Sequence, residues 1–153
     1  MSPYSRRDFL KATAAVGAVA TLGDLPLTAE TPKATDWVPF GPSGVKVTRL
    51  AFGTGSCNGS VQRDLGQEGF NRLVRHAYDR GVRFFETADS YSDMHTMLGI
   101  ALKGIPRDSY ALLTKVTTFD GVKPQQRIDE LRSQARTDYF DVIVDFGVTA
   151  ASA

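Results

Sequence analysis

Cysteine is nearly missing from this 153-residue chain. Cys57 stands alone, so no internal disulfide can form and no metal site can be assembled from paired thiolates. A charge excess is missing too. With 18 Lys and Arg against 17 Asp and Glu, a formal +1 offers neither the basic surface that nucleic acid requires nor a patch for acidic membranes. Membrane-length apolar runs are also lacking. The uncharged stretch Ala12–Leu22, ATAAVGAVATL, holds about eleven residues, where roughly 20 are needed to span a bilayer. There is no low-complexity segment and no sequence repeat. What remains is an ordinary globular composition, 42% hydrophobic, at a length that normally makes one domain.

The N-terminus reads as an address. Arg6, Arg7 and Lys11 make a positive region, the Ala- and Gly-rich stretch follows, and small residues close it near Thr28-Ala29. Ser5-Arg6-Arg7-Asp8-Phe9-Leu10-Lys11 matches the twin-arginine consensus S-R-R-x-F-L-K at every defined position. That resemblance implies export of an already folded protein by the Tat translocon, to the periplasm or another extracytoplasmic space. Residues 1–29 are therefore expected to be a signal peptide cleaved after Ala29, with 30–37 as a linker.

From Trp37 onward, short apolar runs alternate with helical patterns. Trp37–Phe40 and Val45–Val47 flank the turn cluster Gly41-Pro42-Ser43-Gly44 and predict a β-hairpin. Arg49–Phe52 predicts a first strand, ending at Gly53-Thr54-Gly55. Gln67–Arg80 carries Phe70, Leu73, Val74, Ala77 and Tyr78 at helical spacing, and Gly81 is suited to stop it. Val82–Thr87 predicts strand 2, Met94–Lys103 helix 2, Tyr110–Val116 strand 3, Pro124–Arg136 helix 3 and Tyr139–Val144 strand 4. Strands alternating with helices of this length indicate βαβ units and a parallel sheet. Doubly wound and barrel folds both fit that alternation.

Four ordered motifs carry a more specific resemblance. Glu86-Thr87-Ala88-Asp89-Ser90-Tyr91, with Leu98-Gly99-Ile100-Ala101-Leu102-Lys103 after it, resembles the aldo/keto reductase signature D-T-A-x-x-Y…L-G-x-A-L-K. Pro106-Arg107-Asp108…Leu113-Thr114-Lys115-Val116 resembles that family's P-R-(D/E)…T-K-V segment. The opening from Phe40 to Gly55 looks like its bottom hairpin and first strand, and Thr137-Asp138-Tyr139-Phe140-Asp141 like its approach to strand 4. The resemblance implies a (β/α)₈ TIM barrel with NADP(H) across its C-terminal mouth. Residues 38–146 would be the N-terminal half, about four β/α units preceded by the hairpin.

By the same resemblance the chain would reduce a small-molecule carbonyl to an alcohol. Tyr91 would be the proton-donating acid, which requires a neighbouring cation to make a phenol useful near neutral pH, and Lys115 would be that cation. Glu86 stands where the family places the aspartate that ion-pairs with the lysine, and adds one methylene. Gly53, Thr54 and Gly55 would line the nicotinamide end of the cofactor cleft. His95 is expected to be a surface residue, His76 a plain helix-face residue and Cys57 a bystander; no metal site is expected.

Two features depart from the pattern. Family members carry a histidine five residues after the aspartate of the last motif, where this chain has Phe146, which cannot hydrogen-bond a substrate carbonyl. The segment 147–153 resembles nothing in the family, and the chain as given holds four of the eight strands. The expectation is a half barrel with open sheet edges that self-associates and has no turnover by itself. The alternative is a non-enzymatic half-barrel serving as a structural or binding module.

Overall fold

The structure, a computed structural model, describes residues 31–117 and 123–145. The expected signal peptide, Phe146 and the tail 147–153 lie outside the described residues. The chain divides into two compact units at Thr31, and the second, from Pro32, carries the whole of the described architecture.

Two short strands come first. β1 (Trp37–Pro39) and β2 (Lys46–Thr48) pair antiparallel around a 3₁₀ turn over Gly41–Ser43, closed by Gly44 at φ 81°. β3 (Phe52–Gly53), β4 (Phe84–Ala88), β5 (Ala111–Val116) and β6 (Val142–Asp145) then form one parallel sheet in chain order. Between them lie α1 (Ser60–Arg63), α2 (Gly66–Asp79), α3 (Met94–Ala101) and α4 (Pro124–Ala135). The alternation predicted from periodicity is present at every position.

The differences lie at element ends. The expected first strand over Arg49–Phe52 is displaced to Phe52–Gly53, because the amides of Arg49 and Leu50 donate to the carbonyls of Asp36 and Ala34. Those two residues belong to the hairpin's flank. The last strand starts at Val142, since the Tyr139 carbonyl is taken by Arg107 Nη2 and Thr137 Oγ1. The helix expected over Met94–Lys103, α3, ends at Ala101, where Arg75 Nε donates to the Ala101 carbonyl and Gly104 turns the chain at φ 82°. The short α1, a single turn, carries no periodic signal in the sequence.

Strand periodicity sorts side chains onto two faces. Phe85 and Leu112 point to the helices and pack with Phe70, Val74, Met94 and Leu98, all at most 2% exposed. Each such burial stabilises by roughly 1.5–3 kcal/mol. On the opposite face Phe84, Ala111 and Leu113 pack with Val47, Val142 and Val144. The hairpin thus covers the N-terminal ends of β4 and β5, with the Phe40 ring edge-on to Phe84 at 5.9 Å. Asp141 then sets β6 beside β5: its Oδ2 accepts from the Leu112 amide at 2.8 Å and from Arg107 Nη2 at 2.6 Å. The helix layer is equally tight at one crossing. A methyl on Gly99 of α3 would lie 2.6 Å from the Ala135 carbonyl carbon of α4.

Candidate active site

Glu86 in β4 and Lys115 in β5 share the inner face of the sheet. In the parallel register Glu86 lies beside Leu113 and Ala88 beside Lys115. Lys115 is therefore two residues nearer the C-terminal ends of the strands, and its ammonium folds back onto Glu86. The Nζ makes an ion pair with Oε1 of Glu86, the partner of that buried oxygen among the described residues. The same Nζ donates to the phenol oxygen of Tyr91 at 2.8 Å.

Tyr91 reaches this point through a tight loop. Its amide donates to the Ala88 carbonyl, its carbonyl accepts from the Met94 amide, and Asp93 turns into α3 at φ 62°. Asp89 anchors the same loop from the far side. Its carboxylate, 3% exposed, accepts from the amide and the hydroxyl of Thr117, each at 2.7 Å, and lies 3.6 Å from Arg127 Nε. Its own amide donates to the Lys115 carbonyl. Asp89 is inside the signature but at one of its undefined positions, so the resemblance assigned it no role. Arg63 was also missed: its Nη1 donates to the carbonyls of Asn58 and Ser92, joining the loops after β3 and β4. No spacing or motif marks it in the sequence.

The Lys115 pKa records two opposed influences. Burial favours the neutral amine, but the hydrogen bonds and charges of Glu86 and Tyr91 outweigh it. The net effect raises the pKa, so Lys115 is a firm cation beside the phenol.

Gly53 ends β3, and Thr54 and Gly55 continue from it directly past this cluster. Thr54 is wholly buried, and both its amide and its hydroxyl donate to the Glu86 carbonyl, at 3.1 and 3.0 Å. Gly53 is exposed, next to the Glu86 carboxylate. Gly55 lies under the Tyr91 ring.

One expectation is overturned. His95 is 2% exposed rather than on the surface, because α3 turns it inward against β5. Its Nε2 shares a hydrogen bond with Thr114 Oγ1 at 2.8 Å, and Phe140 stands edge-on to the ring at 6.0 Å. Burial lowers its pKa to about 4, with Asp89 opposing and Arg127 adding to the effect. The eight-residue α3 is apolar on most sides, so a polar residue in it has few ways to reach water. His76 is exposed on α2, as expected, and Cys57 is exposed in the turn before α1.

A cleft of about 270 Å³ between the ends of α3 and α4, lined by Leu102, Ile105, Arg107 and Thr137, includes Tyr110. Tyr110 precedes β5, so this cleft is at the opposite end of that strand from Lys115.

Known proteins resemble this chain in sequence and in fold. Residues 49–144 match the model of the aldo/keto reductase family, and residues 3–23 match that of the twin-arginine translocation pathway signal sequence. The L-galactose dehydrogenase of Arabidopsis thaliana is 30% identical over 122 residues, covering 71% of this chain and 38% of the relative. The versiconal hemiacetal acetate reductase of Aspergillus parasiticus is 31% identical over 123 residues, covering 74% and 34%. A thermostable aldo-keto reductase solved in complex with the inhibitor epalrestat superimposes with a TM-score of 0.61 at 21% identity, over 71% of this chain and 41% of the other. That likeness concerns the fold: the parallel sheet and its helices are the opening β/α units of a TIM barrel. The chain spans about a third of the length of the curated relatives it matches. With the family model matched across the hairpin's flank, all three long helices and the sheet, the chain belongs to the aldo/keto reductase family.

Proposed function

We propose that this chain carries the proton-donating site of an NADP(H)-dependent carbonyl reductase that the Tat translocon exports to the periplasm. The observation that carries the reading is the Lys115 ammonium held between the Tyr91 phenol, at 2.8 Å, and the Glu86 carboxylate, at the C-terminal ends of the strands. Barrel enzymes keep their chemistry at that end.

The residues present suit a nicotinamide cofactor at its nicotinamide end. Gly53 is exposed and has no side chain beside the Tyr91 and Lys115 cluster, which leaves room for a flat ring to approach. Thr54 is wholly buried, and its amide and hydroxyl both donate to the Glu86 carbonyl, so it supports the backbone beneath the two glycines. When bound, the reduced cofactor supplies the hydride that a carbonyl carbon accepts.

The chain's own part is the proton. Tyr91 donates its phenol hydrogen to the carbonyl oxygen as negative charge develops there. Lys115 stabilises the phenolate that this leaves behind, an electrostatic contribution that grows along the reaction. Glu86 holds the ammonium in position and keeps it protonated. Phe146 occupies the position that the resemblance assigns to a carbonyl-orienting histidine and offers no hydrogen bond. Losing one such donor typically costs ~100- to 1,000-fold in rate.

The test is NADPH oxidation with simple aldehydes. The 153-residue polypeptide should stay at background. A chimera that carries Phe146→His and continues beyond it with the second half of the Arabidopsis relative should turn over. Tyr91→Phe in that chimera should abolish turnover, and turnover that survives the substitution would refute the role of Tyr91.

A second reading rests on the sheet edges. Among the described residues β3 and β6 each pair on one side only, and Ile143 in β6 is 44% exposed. Such an edge is a template for another strand, which favours a self-associating half barrel with a structural role.

A further inference from the structure

The turn Gly53-Thr54-Gly55 contains two glycines whose backbone does not require them. Neither is among the residues at positive φ, so an L side chain is conformationally acceptable at both. What excludes a side chain is a neighbour. At Gly55 a methyl would lie 2.6 Å from Cε2 and from the phenol oxygen of Tyr91, and closer still to Cζ. Carbon atoms in contact stand about 3.5–4.0 Å apart, so the ring could not remain where it is. At Gly53 a methyl would lie 3.2 Å from Oε2 of Glu86. Thr54, between them, grips the Glu86 main chain with its amide and its hydroxyl.

We propose that this turn is the positioning element of the acid pair, and that Gly55 exists to give the Tyr91 phenol its place against Lys115. The inference rests on reading Tyr91 as the acid, and it assigns Gly55 a function distinct from cofactor contact. The phenol lies in the plane that a Gly55 side chain would fill, and that placement brings its oxygen to 2.8 Å from the Lys115 Nζ. Gly53 is the milder counterpart for the acidic partner, since a methyl there would only press the end of the Glu86 side chain aside by a few tenths of an ångström. It leaves room for the carboxylate of Glu86, which reaches one methylene further than an aspartate, while Thr54 fixes the strand that carries it. Tyr91 and Glu86 are thus both referenced to one three-residue segment at the end of β3, and Lys115 bonds to both of them. A displacement of about 1 Å at such a site can cost ~100-fold in rate, so a clearance of this kind has chemical consequences.

The test uses the full chain labelled with 3-fluorotyrosine, with the Tyr91 resonance assigned by its loss in Tyr91→Phe. Lys115→Met should move that resonance in the Gly55 background. In Gly55→Ala the resonance should already be displaced and should no longer respond to Lys115→Met, while the other tyrosines keep their positions. A Tyr91 signal that is unmoved by Gly55→Ala, and still responds to Lys115→Met, would overturn the proposal. Thermal unfolding covers the case in which Gly55→Ala folds poorly. The substitution should lower Tm by roughly 5–15 °C beside Tyr91 and by nothing measurable in a Tyr91→Ala background. An equal loss in both backgrounds would show that the clearance serves something other than the phenol. Both measurements are independent of turnover. Failure of Tyr91 as the acid would therefore appear as Tyr91→Phe-insensitive activity, with the resonance and stability results intact.

Discussion

Acid should attack this fold at His95. The imidazole is 2% exposed, bonded to Thr114 Oγ1 and faced by Phe140, and burial lowers its pKa from 6.5 to about 4. In the unfolded chain it titrates near 6.5, so between pH 6.5 and 4 the unfolded state binds a proton that the folded state refuses. Stability must therefore fall as pH falls through that window, and His95 has no such effect above it. The slope approaches about 1.4 kcal/mol per pH unit, and by pH 4 the accumulated loss is about 3 kcal/mol. That is a large part of the 5–15 kcal/mol that typically holds a domain together. The assay is urea unfolding of wild type and His95→Gln between pH 4.5 and 7.5. Glutamine keeps a hydrogen-bonding group for Thr114 and cannot titrate. The variant should lose less stability than wild type on going from pH 7 to pH 4.5, by about 2 kcal/mol. Identical pH dependences in the two proteins would refute the reasoning, since the acid sensitivity would then belong to other groups.

Other expectations follow from separate parts of the chain. Replacing Arg6 and Arg7 by Lys-Lys should block export of a fused reporter, because the translocon reads the guanidinium pair; equal mature reporter in the periplasm would remove the signal assignment. Gly99→Ala should lower Tm by several degrees, because the methyl meets the Ala135 backbone, which cannot move aside as a side chain can, and overpacking costs about 1–3 kcal/mol. An unchanged melting curve would mean that α3 and α4 separate at little cost. The 30–153 polypeptide should sediment as dimers or larger species through its strand edges, and a monodisperse monomer would contradict that.

The sequence alone determined a good deal. Apolar residues at helical spacing in 67–80 mark α2, and the short apolar runs at 82–87 and 110–116 mark β4 and β5, because those periods are local properties of the backbone. The signature also named Tyr91, Lys115 and Glu86; Lys115 is 24 residues from Tyr91 in the chain, and the three meet where β4, β5 and the loop after β4 come together. Element boundaries were less legible. Leu50, Ala51 and Phe52 make an apolar run that suggests a strand, yet the amides of Arg49 and Leu50 are captured by the carbonyls of Asp36 and Ala34 from the hairpin's flank. Such competition for a hydrogen bond depends on a partner that periodicity does not contain.

Only the tertiary structure decided the rest. A lone histidine in a short helix reads as exposed until the helix is rotated by its packing, and here Met94, Leu98 and the sheet turn His95 towards Thr114. Gly-Thr-Gly after a strand reads as a bare loop, since a glycine in sequence says that a side chain is missing and nothing about what fills its space. The fold supplies that answer, bringing the Tyr91 ring over Gly55 and the Glu86 carboxylate beside Gly53. Periodicity is set by the chain's own geometry, while the identity of a neighbour is set by how strands and helices far apart in the chain close upon one another.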